Sequence, residues 1–215
     1  MLSKFAWLAL AGILATAGPA EGSTLFAPGT LDSSDGNEMS AWIQANVFTL
    51  RETSRISGLA FYGLASSAYA YRGTVQWRFY SDQAGTPGTL LASGLEQAEA
   101  VDEGPALLDG LDVYRVQFTL SEGFVATGGT QYWLGLHNGP VGETEYTGFY
   151  LAFATTGGAG QESYLLGTGF TENGGPHYVE LQGDVYTPEP GTWTLTAGSL
   201  TLLAAGLRRR RYRSN

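Results

Sequence analysis

Thr74-Val75-Gln76-Trp77-Arg78-Phe79-Tyr80 decides the fold class of this chain. Val75, Trp77 and Phe79 fall on one side of an extended backbone, with Thr74, Gln76, Arg78 and Tyr80 on the other. Side chains alternate between the faces of a strand, so the stretch predicts a strand with one face on a core and one on solvent. Val113-Tyr114-Arg115-Val116-Gln117-Phe118-Thr119-Leu120 repeats the pattern, with Tyr114, Val116, Phe118 and Leu120 inward. Gln131–Leu136 and His177–Gln182 alternate in the same way. Further strands are expected over Met39–Asn46, Arg55–Tyr62, Leu90–Ala98, Glu145–Ala154 and Gln161–Leu166. About nine short strands with frequent turn signals predict an all-β fold, an antiparallel β-sandwich of jelly-roll type.

Between these strands, Thr86-Pro87-Gly88 fits a type II turn, with Pro and Gly at its centre. His137-Asn138-Gly139-Pro140 and Glu172-Asn173-Gly174-Gly175-Pro176 carry residues that tolerate left-handed backbone. Glu99–Leu111, with four acids, reads as a solvated loop.

The ends differ from this middle. Met1-Leu2-Ser3-Lys4, an apolar run from Phe5 to Ala17 and the small residues that follow have the parts of a secretory signal peptide, expected over 1–22. Cleavage after Ala20 or after Gly22 both satisfy the small-residue rule. The run of 13 residues is well short of the ~20 that span a bilayer. The sandwich is expected over 23–186 and a tail over 187–215. That tail is an extended Pro188-Glu189-Pro190 linker, an apolar segment 192–207, and a basic stop of Arg208, Arg209, Arg210, Arg211 and Arg213. As a helix the segment is about 24 Å long against a hydrocarbon core of about 30 Å, slightly short for a lasting anchor. The positive-inside rule keeps its arginines cytoplasmic and leaves the folded middle outside.

With both ends removed, five arginines stand against 18 carboxylates, a net charge of −13, and the middle has no lysine. Such a surface repels nucleic acid and anionic headgroups. The chain has no cysteine, which excludes disulfides, thiol catalysis and zinc-thiolate sites. Some 165 residues bury roughly 70% of the surface their unfolded chain exposes, enough for a core to hold the fold alone.

The Pro-Glu-Pro element, the short apolar helix ending Ala205-Gly206-Leu207 and the arginine cluster, in that order, resemble a PEP-CTERM sorting signal. The resemblance covers Pro188 to Arg213; the threonines at 192, 194, 196 and 201 depart mildly from the family's Leu- and Val-rich helix. It implies a membrane-bound exosortase as partner, with this chain as substrate, and an address at the cell surface or in an exopolysaccharide matrix. Phe48-Thr49-Leu50 before Ile56–Gly63, Arg78–Asp82 before Gly85–Gly88, Tyr114–Leu120 and Gly129–Leu134 also resemble a β-sandwich ectodomain of exported bacterial proteins. That resemblance implies adhesion or matrix modules and supplies no active site.

The residues themselves offer little chemistry. His137 and His177 lie in separate turn contexts, with no Gly-x-Ser-x-Gly elbow and no His-x-x-x-His spacing. Glu143/Glu145 and Asp102/Glu103 are the paired carboxylates a glycosidase would need, but they sit in glycine-rich loops and read as solvated. No catalytic residue is assigned. Asp32, Asp35, Asn37 and Glu38 surround a Gly turn and are the candidate calcium ligands, although their spacing is not that of an EF-hand. Tyr69 and Tyr71, expected to point the same way from a loop or edge, are the candidate glycan-stacking pair. Two functions follow: a structural or adhesion protein of the envelope or matrix, or a lectin-like carbohydrate-binding module, with or without calcium.

Overall fold

The computed structural model describes residues 22–164 and 169–186. The expected sorting tail, and the signal segment apart from Gly22, lie outside the described residues. Thirteen strands run in chain order: β1 Ser23–Phe26, β2 Leu31–Glu38, β3 Trp42–Thr49, β4 Ser54–Ala65, β5 Thr74–Gln83, β6 Thr86–Gln97, β7 Ala100–Pro105, β8 Asp112–Ala126, β9 Gln131–Asn138, β10 Tyr150–Ala154, β11 Gly160–Tyr164, β12 Thr171–Glu172 and β13 Val179–Val185. One three-residue 3-10 turn, Ala68–Ala70, is the helical structure among the described residues. No described helix is long and apolar enough to cross a membrane.

The strands form two sheets, paired antiparallel throughout. In one, β4 is central: β8 and then β7 lie on one side, and β13–β1 and β10–β2 share the other. The second sheet runs β12-β11-β3-β9-β5-β6. Between them Ile56, Leu59, Phe61, Val116, Phe118 and Leu181 meet Phe48, Val75, Trp77, Phe79, Leu134 and Leu136 in one apolar cluster. Burying a side chain of this size contributes about 1.5–3 kcal/mol, so this layer is the main stabilising term. The opening heptapeptide behaves as its pattern predicts, with Val75, Trp77 and Phe79 in the core.

Tyr80 departs from that pattern. Expected on the solvent face, it is buried in a second cluster with Ala45 and Trp133, its ring 5.4 Å from Phe170. The outer face of the second sheet is therefore partly covered, and alternation cannot report a face that is covered on both sides.

Four strands escaped the sequence reading. Asp32–Glu38, read as a Gly turn carrying the candidate calcium ligands, is part of β2 and pairs with β10. Within Glu99–Leu111, the first part is β7, paired with β8. β1 and the two-residue β12 complete the set. In each case a partner distant in the chain supplies the ladder that local composition does not announce. The turn expected at Thr86-Pro87-Gly88 falls earlier: Ala84 and Gly85 both have positive φ, of 52° and 83°, and Thr86 already belongs to β6. Positive φ at both central residues is the two-residue hairpin geometry that matches strand twist.

Phe149 explains another local constraint. A Cβ on Gly63 would lie 2.1 Å from its Cζ, so the ring takes the place of a side chain on β4. This draws the loop before β10 onto the sandwich end where the polar residues gather.

A candidate binding end of the sandwich

At one end of the sandwich, the turn after β2, the segment between β4 and β5, and the segment between β9 and β10 converge on Asn138. This residue is fully buried at the end of β9. Its amide nitrogen donates to the Ala70 carbonyl at 2.9 Å and to Thr147 Oγ1 at 3.3 Å. Its amide oxygen accepts from the Arg72 backbone N–H at 2.9 Å, and its own backbone N–H donates to the Met39 carbonyl at 2.6 Å. Thr147 closes the circuit: its hydroxyl donates to Ala70 O at 2.7 Å and its N–H donates to Ser40 Oγ at 2.9 Å. Ser40 in turn donates through N–H and hydroxyl to Glu38 Oε1, while the Ala41 N–H donates to Oε2 at 2.9 Å. Buried polar groups fully satisfied in this way hold a single backbone arrangement.

Arg72 fastens the outer rim. Its guanidinium is paired with Glu143 and donates to the Glu145 carbonyl at 2.9 Å, with the Glu145 carboxylate at 3.8 Å. Glu143 and Glu145, read from the sequence as solvated loop acids, thus share one cation. Beneath them His137 is buried, with Nδ1 3.0 Å from Gly139 O and no partner for Nε2. Burial pulls its pKa below the ordinary histidine value.

The two candidate tyrosines part company here. Tyr69, on the 3-10 turn, is 97% exposed. Tyr71 packs inward with its ring 5.3 Å from Phe149, and its hydroxyl is buried without a partner. Burial pushes that phenol well above its usual range. A 3-10 turn advances a third of a revolution per residue, so positions two apart do not share a face as in a strand. The second exposed aromatic at this end is Tyr146, 60% exposed, hydrogen-bonded to Tyr150.

The candidate calcium ligands share β2 but each faces its own partner. Asp32 Oδ1 accepts from Ser34 Oγ at 2.5 Å and Ser34 N at 2.9 Å, which holds its carboxyl below the usual range. Asp35 accepts from the Gly36 N–H at 2.7 Å. The Asn37 amide meets His177 Nε2 at 2.9 Å, and Glu38 belongs to the network above. Among the described residues no three His, Cys, Asp or Glu side chains are grouped to hold a metal ion.

Both histidines, expected in polar turns, are buried. His177 is completely enclosed: its N–H and Nδ1 both meet Asn46 Oδ1, at 2.8 and 3.1 Å, and its ring stacks 5.1 Å from Phe153. The sequence reading missed Asn138, Ser40 and Thr147 altogether. His137-Asn138-Gly139 carries a turn signal, but nothing local marks an amide that reaches residues 66 and 68 positions away.

The fold and this site define a two-sheet antiparallel β-sandwich with a rigid loop platform at one end. No family model, curated protein or solved structure matches the chain.

Proposed function

We propose that this chain is an exported structural or adhesion protein of the cell surface or extracellular matrix, delivered by a C-terminal sorting tail. The observation that carries the reading is the tripartite terminus: Pro188-Glu189-Pro190, the apolar segment 192–207 and the arginine stop. On this reading 1–22 is removed on export and the tail crosses the inner membrane until an exosortase-type enzyme processes it. The jelly-roll-like sandwich, acidic and without lysine, then stands among exopolysaccharide chains as a displayed module. The mass of the mature protein from an exosortase-bearing host tests this. The expected chain lacks Arg208–Arg213, and a mature chain that retains them would leave a simple anchored protein instead.

One observation favours a second reading, glycan recognition. Tyr69 is almost wholly exposed, yet Ala70 and Arg72 beside it are pinned by Asn138 and Thr147. A tyrosine on a pinned backbone presents a face for a pyranose ring at reduced entropic cost. On a glycan array, binding that falls at least about tenfold in Tyr69→Ala, or 1.4 kcal/mol, would support this reading. An EDTA arm tests the calcium set Asp32, Asp35, Asn37 and Glu38 separately. Binding indifferent to Tyr69→Ala would remove the platform from consideration.

A further inference from the structure

The edge strands of this sandwich are protected unequally. β7 carries Asp102 and Glu103, and β2 carries Asp32, Asp35 and a bulge. β1 has four residues with an irregular register, and β12 has two residues. Charge, bulges and shortness are the devices by which sheet edges avoid pairing with other chains. β6 is different. It has 12 residues, and among the described residues its ladder partner is β5 on one side only.

The side chains of β6 sharpen the contrast. Leu90, Leu91 and Leu95 are 43%, 46% and 45% exposed. The sole charged residue, Glu96, is withdrawn from the edge: its Oε1 accepts from Ser121 N at 2.8 Å, Ser121 Oγ at 2.6 Å and Trp77 Nε1 at 3.3 Å. Pro87 and both register shifts of the β5–β6 pair, which leave Leu91 out of the ladder, lie in the first half of β6; the unprotected stretch is Ala92–Gln97, which pairs regularly with Thr74–Phe79.

We propose that β6 is a self-association edge, along which a second copy of the chain adds antiparallel to the six-stranded sheet. Charge selects the place, and the symmetry of the edge selects the occupant. Two copies whose folded parts each carry −13 repel over most of their surfaces, and along β6, whose one carboxylate is Glu96, that repulsion is weakest. An edge strand is also self-complementary, because its free N–H and C=O groups alternate and match their own row across a twofold axis. An axis at Ser93 sets Leu91 and Leu95 of one copy opposite Leu95 and Leu91 of the other, giving two apolar cross-strand pairs.

With the axis at Ser93, Thr89–Gln97 of the two copies overlap, a strip roughly 30 Å long that covers on the order of 300 Å² per copy, less than half the standard partner area of ~800 Å². Association in dilute solution is therefore weak, and it strengthens where chains are tethered side by side. The proposal does not depend on the export reading.

The absence of cysteine makes a clean test possible. In the full chain at micromolar concentration, Ser93→Cys places two thiols at the axis, where antiparallel Cα atoms lie about 4.5–5.5 Å apart, within disulfide range. Under mild oxidation a disulfide-linked dimer is expected to form about tenfold faster than with Tyr69→Cys, which is more exposed but lies elsewhere. Adding Leu95→Glu to Ser93→Cys puts a carboxylate from each copy into the strip and is expected to abolish that advantage. Leu91→Glu does the same where the first variant loses its native circular-dichroism spectrum. Equal rates for Ser93→Cys and Tyr69→Cys, or crosslinking that survives the glutamate, would overturn the proposal.

Discussion

His177 and His137 are buried to nearly the same depth, yet the protein treats them in opposite ways. His177 meets Asn46 and Asn37, 131 and 140 positions away, and is stacked by Phe153. Each ring nitrogen faces an amide oxygen, Asn46 Oδ1 at 3.1 Å and Asn37 Oδ1 at 2.9 Å, and the neutral ring donates its one N–H to one of them. His137 bonds only to Gly139, two residues on, and leaves Nε2 alone. One imidazole ties β2, β3 and the approach to β13 together across both sheets. The other is a side chain the fold has enclosed without fully satisfying. Depth of burial alone therefore says little about what a histidine contributes; the reach of its partners does.

His177→Ala should be the most damaging change. It strands both amides and opens a cavity, and a loss of about 3–4 kcal/mol is expected in urea unfolding. A pH series tests the same contact. Burial holds the folded pKa of His177 down at about 3, against the ordinary 6.5 of the unfolded chain. Between those values the unfolded state binds a proton that the native state refuses. Stability is thus complete above pH 6.5 and falls with acidification, by about 2 kcal/mol from pH 6.5 to 5. Over that range the carboxyls of Asp32, Asp82 and Glu96, all held below their ordinary values, stay ionised. His177→Ala should flatten most of the slope. An unchanged slope in that variant would mean that His177 is protonated in the native protein, and the contrast with His137 would collapse.

The same difference in reach separates what was legible in the sequence from what was not. Val75, Trp77 and Phe79, and Tyr114 through Leu120, declared their faces because a strand with one wet side writes its burial into the next residue but one. Tyr80 misled because Phe170 covers the outer face of its sheet from 90 positions away. Asp32–Glu38 has the composition of a loop and is a strand because β10 pairs with it across more than 110 residues. The candidate site followed the same rule. Tyr69 was found as an exposed aromatic, but Tyr71 was assigned by strand periodicity in a segment that turns as a 3-10 helix. Asn138, which organises that end, looked like an ordinary turn residue. Its importance lies wholly in contacts with Met39, Ala70 and Arg72, and no window of sequence contains them all.

His137→Phe probes the opposite member of the pair, and its expected effect is small. The substitution gives up the bond to Gly139, a net contribution of roughly 0.5–1.5 kcal/mol. It also removes a buried nitrogen without a partner, whose desolvation costs about 1–3 kcal/mol. A phenyl ring is somewhat larger than an imidazole, so no cavity is left and a modest overpacking cost is added. The terms oppose, and unfolding in urea at pH 7 should place the variant within about 1 kcal/mol of the parent. Because burial also lowers the pKa of His137, the variant should lose the share of acid sensitivity that survives in His177→Ala. A loss of about 3 kcal/mol or more at pH 7 would show that Nε2 has a strong partner in solution. The contrast would then lie in the identity of the partners and no longer in their reach.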